Sequence, residues 1–126
     1  MTHILGIHHV QVNVPADRAE DARRFYEGVL GFQEMPRPSS LPAAGRHGVW
    51  YRCGQGEFHV FFAPPADFRA DGTSRHPALL VNDLEGLRRR LAEAGASLEE
   101  AVPIDGRRRF FCRDPFGNRL EFLVFA

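Results

Sequence analysis

The stretch Arg113-Asp114-Pro115-Phe116-Gly117-Asn118-Arg119-Leu120-Glu121-Phe122-Leu123-Val124-Phe125 sets a turn directly ahead of an apolar run with one carboxylate in its middle. Gly117 and Asn118 tolerate the positive φ that a tight turn often requires. Strand alternation puts Arg119, Glu121, Leu123 and Phe125 on one face and Leu120, Phe122 and Val124 on the other. With the second face packed in a core, Glu121 points into whatever the first face lines. An ionised carboxylate there needs solvent, a cation or a metal.

Working outward from this strand, the same order of elements is read twice. Residues 4–14 alternate, with Val10, Val12 and Val14 on one face and His9, Gln11 and Asn13 on the other. Asp17 and Glu20 resemble a capping box, and Ala22, Phe25, Tyr26 and Val29 recur at helical spacing before Gly31. Short strands are expected over 32–35, 49–53 and 58–62, the last two joined by a hairpin at 54–57. Between them, residues 36–45 are too rich in Pro, Ser and Gly for regular structure and read as a lid-like loop. A polar linker over 64–75 follows. Then come a strand at 76–81, a helix capped by Asp83 with an apolar stripe of Leu84, Leu87, Leu91 and Ala94, and strands at 98–102, 108–113 and 119–125. Each half reads β-α-β-β-β, which is an internal duplication with module one at about 4–63 and module two at 76–126. The expected fold is a single α+β domain, its paired βαβββ modules giving an eight-stranded mixed sheet curved around an open cup.

Composition narrows the function classes. The 126 residues hold 16 basic and 16 acidic side chains, so no global field favours nucleic acid or an anionic membrane. No apolar run approaches a membrane span, and the N-terminus lacks a secretory pattern; a cytoplasmic protein is expected. Cys53 and Cys112 form no CxxC, read as separate buried thiols, and exclude a cysteine-type zinc site.

The duplication sets His9 and His76 at equivalent places on the first strand of each half, and His59 and Glu121 at near-equivalent places on the last. Two histidines and a carboxylate form the facial set that leaves open positions on a divalent ion, and His59 adds a fourth donor. Taken singly, each is equally a solvated bystander, and His59 is either a ligand or a neighbouring base. Gln11 and Asn13 share the His9 face and could hold polar groups of a substrate; Tyr51 and Arg119 are cleft candidates on similar parity grounds. His8 falls on the opposite strand face and reads as structural. The runs Arg88-Arg89-Arg90 and Arg107-Arg108-Arg109 read as solvated surface.

The segments at 7–14, 22–32, 75–84 and 94–96, with Asp114-Pro115-Phe116-Gly117-Asn118-Arg119-Leu120-Glu121, resemble the vicinal oxygen chelate superfamily. That group includes glyoxalase I, methylmalonyl-CoA epimerase, fosfomycin-resistance thiol transferases, bleomycin resistance proteins and extradiol dioxygenases. The resemblance implies metal ligands at His9, His76 and Glu121, with His59 standing where glyoxalase I has a second glutamate. It implies a divalent ion (Mn, Fe, Ni, Co or Zn), a small oxygen-chelating substrate, lyase, isomerase or thiol-transfer chemistry, and a homodimer. His59 and Glu121 are the expected catalytic residues. The alternatives are a metal-free drug-binding protein of the bleomycin-resistance type and a ring-cleaving dioxygenase.

Overall fold

Each half of the chain builds one four-stranded sheet. In the computed structural model, residues 2–41, 47–70 and 72–125 are described. The first sheet holds β1 (His9–Pro15), β2 (Glu34–Met35), β3 (Gly48–Cys53) and β4 (Gly56–Ala63) in the order β1-β4-β3-β2. The second holds β5 (Ala78–Leu80), β6 (Ser97–Glu100), β7 (Arg107–Arg113) and β8 (Arg119–Phe125) in the order β5-β8-β7-β6. In both sheets the first strand runs parallel to the last and the other pairings are antiparallel. The architecture is α+β, as expected, with the eight strands shared between two mixed sheets.

The first helical segment departs from regular α geometry. Ala16–Arg18 is a 3₁₀ turn, Ala19–Arg23 is α-helical (α1), and Arg24–Val29 widens into a π-helix. The expected Asp17 cap does not form: Pro15 stands at the N-cap position and offers no side-chain acceptor. The π stretch turns Phe25 and Tyr26 inward together, and its wider loop closes with Leu30 N donating to Phe25 O at 2.9 Å. The second helix, α2 (Leu84–Glu93), is capped as expected, with Asp83 Oδ1 accepting from Gly86 N at 3.0 Å.

One apolar cluster joins the halves, running from Val12, Val14, Phe25 and Tyr51 to Leu91, Phe110, Leu120 and Phe122. Polar contacts pin the same junction: Tyr26 Oη donates to Asp114 Oδ2 at 2.6 Å, and Arg90 Nη2 donates to Gly28 O at 2.9 Å. Arg88 does as its stem predicts, lying 4.6 Å over the Phe110 ring while it pairs with Glu85 and Glu100. The first strand begins at His9, later than its alternation suggests, and Ile4, Leu5 and Ile7 lie exposed ahead of it. Of the expected lid-like loop, residues 42–46 lie outside the described residues.

Candidate functional site

The parallel pairing of β1 with β4 sets His9 beside Glu57 and Gln11 beside His59. Side chains two residues apart on these strands therefore crowd onto one face. There the His9 and His59 rings stack, their centroids 4.1 Å apart and their planes within 16°. From the strand on the other flank of β4, Trp50 stands level with His59 and lies parallel to it at 4.4 Å and 5°. Arg37 lies over the Trp50 ring at 5.1 Å.

His59 Nε2 is 2.8 Å from Glu57 Oε1, and His8 Nδ1 is 2.9 Å from His9 Nδ1. Burial holds the His59 imidazole below the usual histidine range, although the Glu57 hydrogen bond opposes it. The bond from His59 in turn holds the Glu57 carboxyl below the usual carboxylate range. A neutral His59 donating Nε2–H to an ionised Glu57 satisfies both and leaves Nδ1 as the lone-pair nitrogen. A cavity of about 430 Å³ opens beside this column, bordered by His9, His59, Trp50 and Arg37.

The second half repeats the arrangement with different chemistry. Glu121 is level with Ala78 in the β5–β8 pairing, and its backbone N donates to Pro77 O at 3.0 Å. This brings His76 Nε2 to 2.9 Å from Glu121 Oε1, while His76 Nδ1 is 2.8 Å from the carbonyl of Ser74. A carbonyl only accepts, so Nδ1 carries the hydrogen. In a neutral imidazole Nε2 is then a lone pair facing a carboxylate oxygen, two acceptors in contact. A proton or a metal ion reconciles them, and a ring N–H held by a backbone carbonyl is how metal-ligating histidines are oriented. The donor chemistry of this pair therefore fits a divalent ion. Around it, Arg109 Nη1 is 3.6 Å from Glu121 Oε2, Phe111 sets its ring edge-on to His76 at 5.0 Å, and Arg119 lies 3.7 Å over Phe111.

The four sequence-derived ligand candidates thus stand as two pairs, His9 with His59 and His76 with Glu121. Among the described residues no group of three or more His, Cys, Asp or Glu is placed to hold one ion. Gln11 and Asn13 are exposed on the His9 face, Gln11 Nε2 donating to Asn13 Oδ1 at 3.2 Å. Arg119 borders a neighbouring cavity with them. Tyr51 lies elsewhere, in the core, its hydroxyl donating to Glu27 Oε2 at 2.8 Å. The reason is register: the β3–β4 turn pairs Cys53 with Gly56, which sets Tyr51 level with Phe58 and brings Trp50 to His59. A two-residue turn at Gly54-Gln55 was the signal for Trp50. His8 also departs from its expected face, because it precedes β1 and its ring meets that of His9. Glu57, two residues before His59, shares its face by simple parity. Arg109 and Phe111 needed the β7–β8 register, in which Phe111 is level with Glu121.

The sequence profile of the Glyoxalase/Bleomycin resistance protein/Dioxygenase superfamily matches residues 6–122. A solved structure from Bacillus anthracis, described as of the glyoxalase family, is 33% identical, with a TM-score of 0.86 over 100% of this chain and 99% of that one. A glyoxalase family protein from Enterococcus faecalis is 27% identical, with a TM-score of 0.71 over 94% and 96%. Lactoylglutathione lyase from Agrobacterium tumefaciens, at 21% identity and a TM-score of 0.69 over 98% and 96%, shares the fold. No curated protein matches the chain. The repeated strand order and a profile that spans nearly the whole sequence agree: this chain belongs to the Glyoxalase/Bleomycin resistance protein/Dioxygenase superfamily.

Proposed function

We propose that the protein is a divalent-metal-dependent enzyme of the glyoxalase-like class, acting on a small substrate that chelates through oxygen by lyase, isomerase or thiol-transfer chemistry. The observation that carries this reading is the contact of His76 Nε2 with Glu121 Oε1 at 2.9 Å, while Nδ1 is committed to Ser74 O. His9, His76 and Glu121 would hold the ion, with His59 beside them. When bound, an ion such as Mn, Fe, Ni, Co or Zn supplies Lewis-acid polarisation of substrate oxygens.

The chain's own residues do the rest. His59, its Nε2 engaged by Glu57, presents Nδ1 for moving a proton, and Glu57 fixes the ring's tautomer. Trp50 and His9 clamp the same ring from two sides of β4, which fixes its orientation. Gln11 and Asn13 offer amides to the substrate's polar groups. Because one chain offers the donors in two pairs, we place the complete set between two copies: His9 and His59 from one, His76 and Glu121 from the other.

A second reading, sequestration of an apolar compound without metal, is favoured by a different feature. A cavity of about 490 Å³ is walled by Leu30, Phe32, Leu79, Val81 and Leu87. Elemental analysis separates the two. Tag-free protein reconstituted with each of the five metals should hold close to one specific ion per site, and His9→Ala and Glu121→Ala should each abolish it. Trp50 is the one tryptophan of the chain and stacks on His59, so its fluorescence should report loading independently of turnover. A protein that takes up no specific metal in any preparation, yet captures an apolar ligand without converting it, would establish the second reading.

A further inference from the structure

A cavity of about 550 Å³ lies where β1 meets the start of β8 and the segment ahead of β5. Asn118 Nδ2 donates to Asn13 O across this junction at 2.9 Å, which ties the two halves together at the cavity wall. The polar lining is one-sided in charge. Arg69 and Arg119 border it with the amides of Gln11 and Asn13, and none of its described lining residues is acidic. Arg69 Nη1 donates to the carbonyls of Ala66 and Phe68, at 3.0 and 2.7 Å, contacts that aim the guanidinium without neutralising it.

Arg119 is the more telling group. Its guanidinium carbon lies over Phe111, 3.7 Å from the ring centroid, and its Nε is buried without a hydrogen-bond partner. The carboxylate that it pairs with, on Glu99, is 3.5 Å from Nη2 on a side chain that is 63% exposed. A buried cationic N–H with no acceptor is costly to maintain. The Arg119 side chain also borders the cleft, and a guanidinium recognises carboxylate and phosphate by charge-assisted hydrogen bonds.

We infer that this cleft binds the carboxylate or phosphate group of an acidic small molecule. His76 borders the same cleft and touches Glu121, so a ligand anchored there by its anionic end has its remaining oxygens beside that pair. The inference thus narrows the substrate of the proposed enzyme to an acid. It rests on that reading only for calling the ligand a substrate; anion binding stands on the arginines alone.

The test uses the full chain stripped of metal on a chelating resin and titrated calorimetrically, at low ionic strength, with malonate and with inorganic phosphate. Saturable binding of at least one is expected, weakened about tenfold or more in Arg119→Gln and in Arg69→Gln and weakened again by added salt. The tighter of the two anions identifies the group as carboxylate or phosphate. Thermal unfolding checks each variant, and Arg69→Gln decides the matter if Arg119→Gln does not fold. Binding of neither anion, or equal binding by the wild type and both variants, overturns the inference. So does binding that appears only after metal is restored, since the ion would then hold the anion in place of the arginines. Metal uptake is assayed separately on the same protein, which keeps failure of the metal site distinct from failure of the cleft.

Discussion

Asp114, 5% exposed, accepts from Tyr26 Oη at 2.6 Å, Asn118 Nδ2 at 2.7 Å, Asn118 N at 2.8 Å and Phe116 N at 2.9 Å. Donors from the chain itself saturate this carboxylate, so it needs no ion and serves the fold. Glu121 differs: at 8% exposure it meets the imidazole Nε2 of His76 and a more distant arginine, and its chemistry is left open to a cation. The buried neighbours of Asp114 make stability fall in alkali. Burial first, and then Asp114, pushes the Tyr26 phenol well above its ordinary 10.0; the same causes push the Cys112 thiol from 9.0 up to about 12. Tyr51 shifts in the same direction, chiefly by burial. The unfolded chain releases these protons at lower pH than the folded one. Their contribution is therefore complete below the ordinary values and is lost as the pH rises beyond them. Urea midpoints should decline from about pH 9 to pH 11. Tyr26→Phe should cost about 1–3 kcal/mol at neutral pH and decline less steeply in alkali. Equal slopes for the variant and the wild type would refute this origin.

Among the elements, the β3–β4 hairpin fixes more of the site than any other. The turn after Cys53 sets the register that delivers Trp50 to His59 and sends Tyr51 into the core. At its other end Gly48 adopts φ of 156°, and a Cβ there would run into the backbone carbonyl of Val60. Neither partner is a flexible side chain, so Gly48→Ala should destabilise the protein by about 2 kcal/mol or more and loosen the His59 column. The check is a denaturant titration together with the Trp50 emission spectrum; an unchanged midpoint would mean that the strand end yields freely. In α2 a milder effect is expected. Asp83→Ala removes the acceptor for Gly86 N and should cost about 1 kcal/mol, whereas Asp17→Ala, whose side chain caps nothing, should leave the midpoint within about 0.5 kcal/mol of wild type.

For the whole molecule, each sheet leaves its first strand at an edge, β1 in one and β5 in the other. Apolar side chains lie bare beside them, Leu5 at 101%, Ile7 at 84% and Leu80 at 66% exposure. Exposed edges and apolar residues together suit coverage by a second copy. If the complete donor set is shared between copies, then His9→Ala and Glu121→Ala should each bind no metal alone yet recover sites when mixed. A mixed dimer carries one site built from the intact His9 of one chain and the intact Glu121 of the other. Random exchange should restore about a quarter of the wild-type sites. Sedimentation should show a dimer throughout, and Leu5→Glu with Leu80→Glu should weaken it. A monomer with full metal occupancy, or a mixture that recovers nothing, would exclude the shared site.

Read alone, the sequence determined the local patterns: the doubled β-α-β-β-β order, the Val12 and Val14 face of β1, the Asp83 cap, and the parity that gathers His9 with Gln11 and Asn13. These depend on periods of two or 3.6 residues and on turn chemistry, which neighbours in the chain fix. It also singled out His9, His59, His76 and Glu121, because a polar group in an apolar strand needs a partner wherever it is. It did not decide which partner. That Glu121 meets His76 and Arg109, that His59 lies between His9 and Trp50, and that Arg119 rests on Phe111 follow from strand order and register between segments distant in the chain. Only the tertiary structure separates the four donors into two pairs, because the pairing of each sheet's first and last strands, and not sequence spacing, sets which side chains touch.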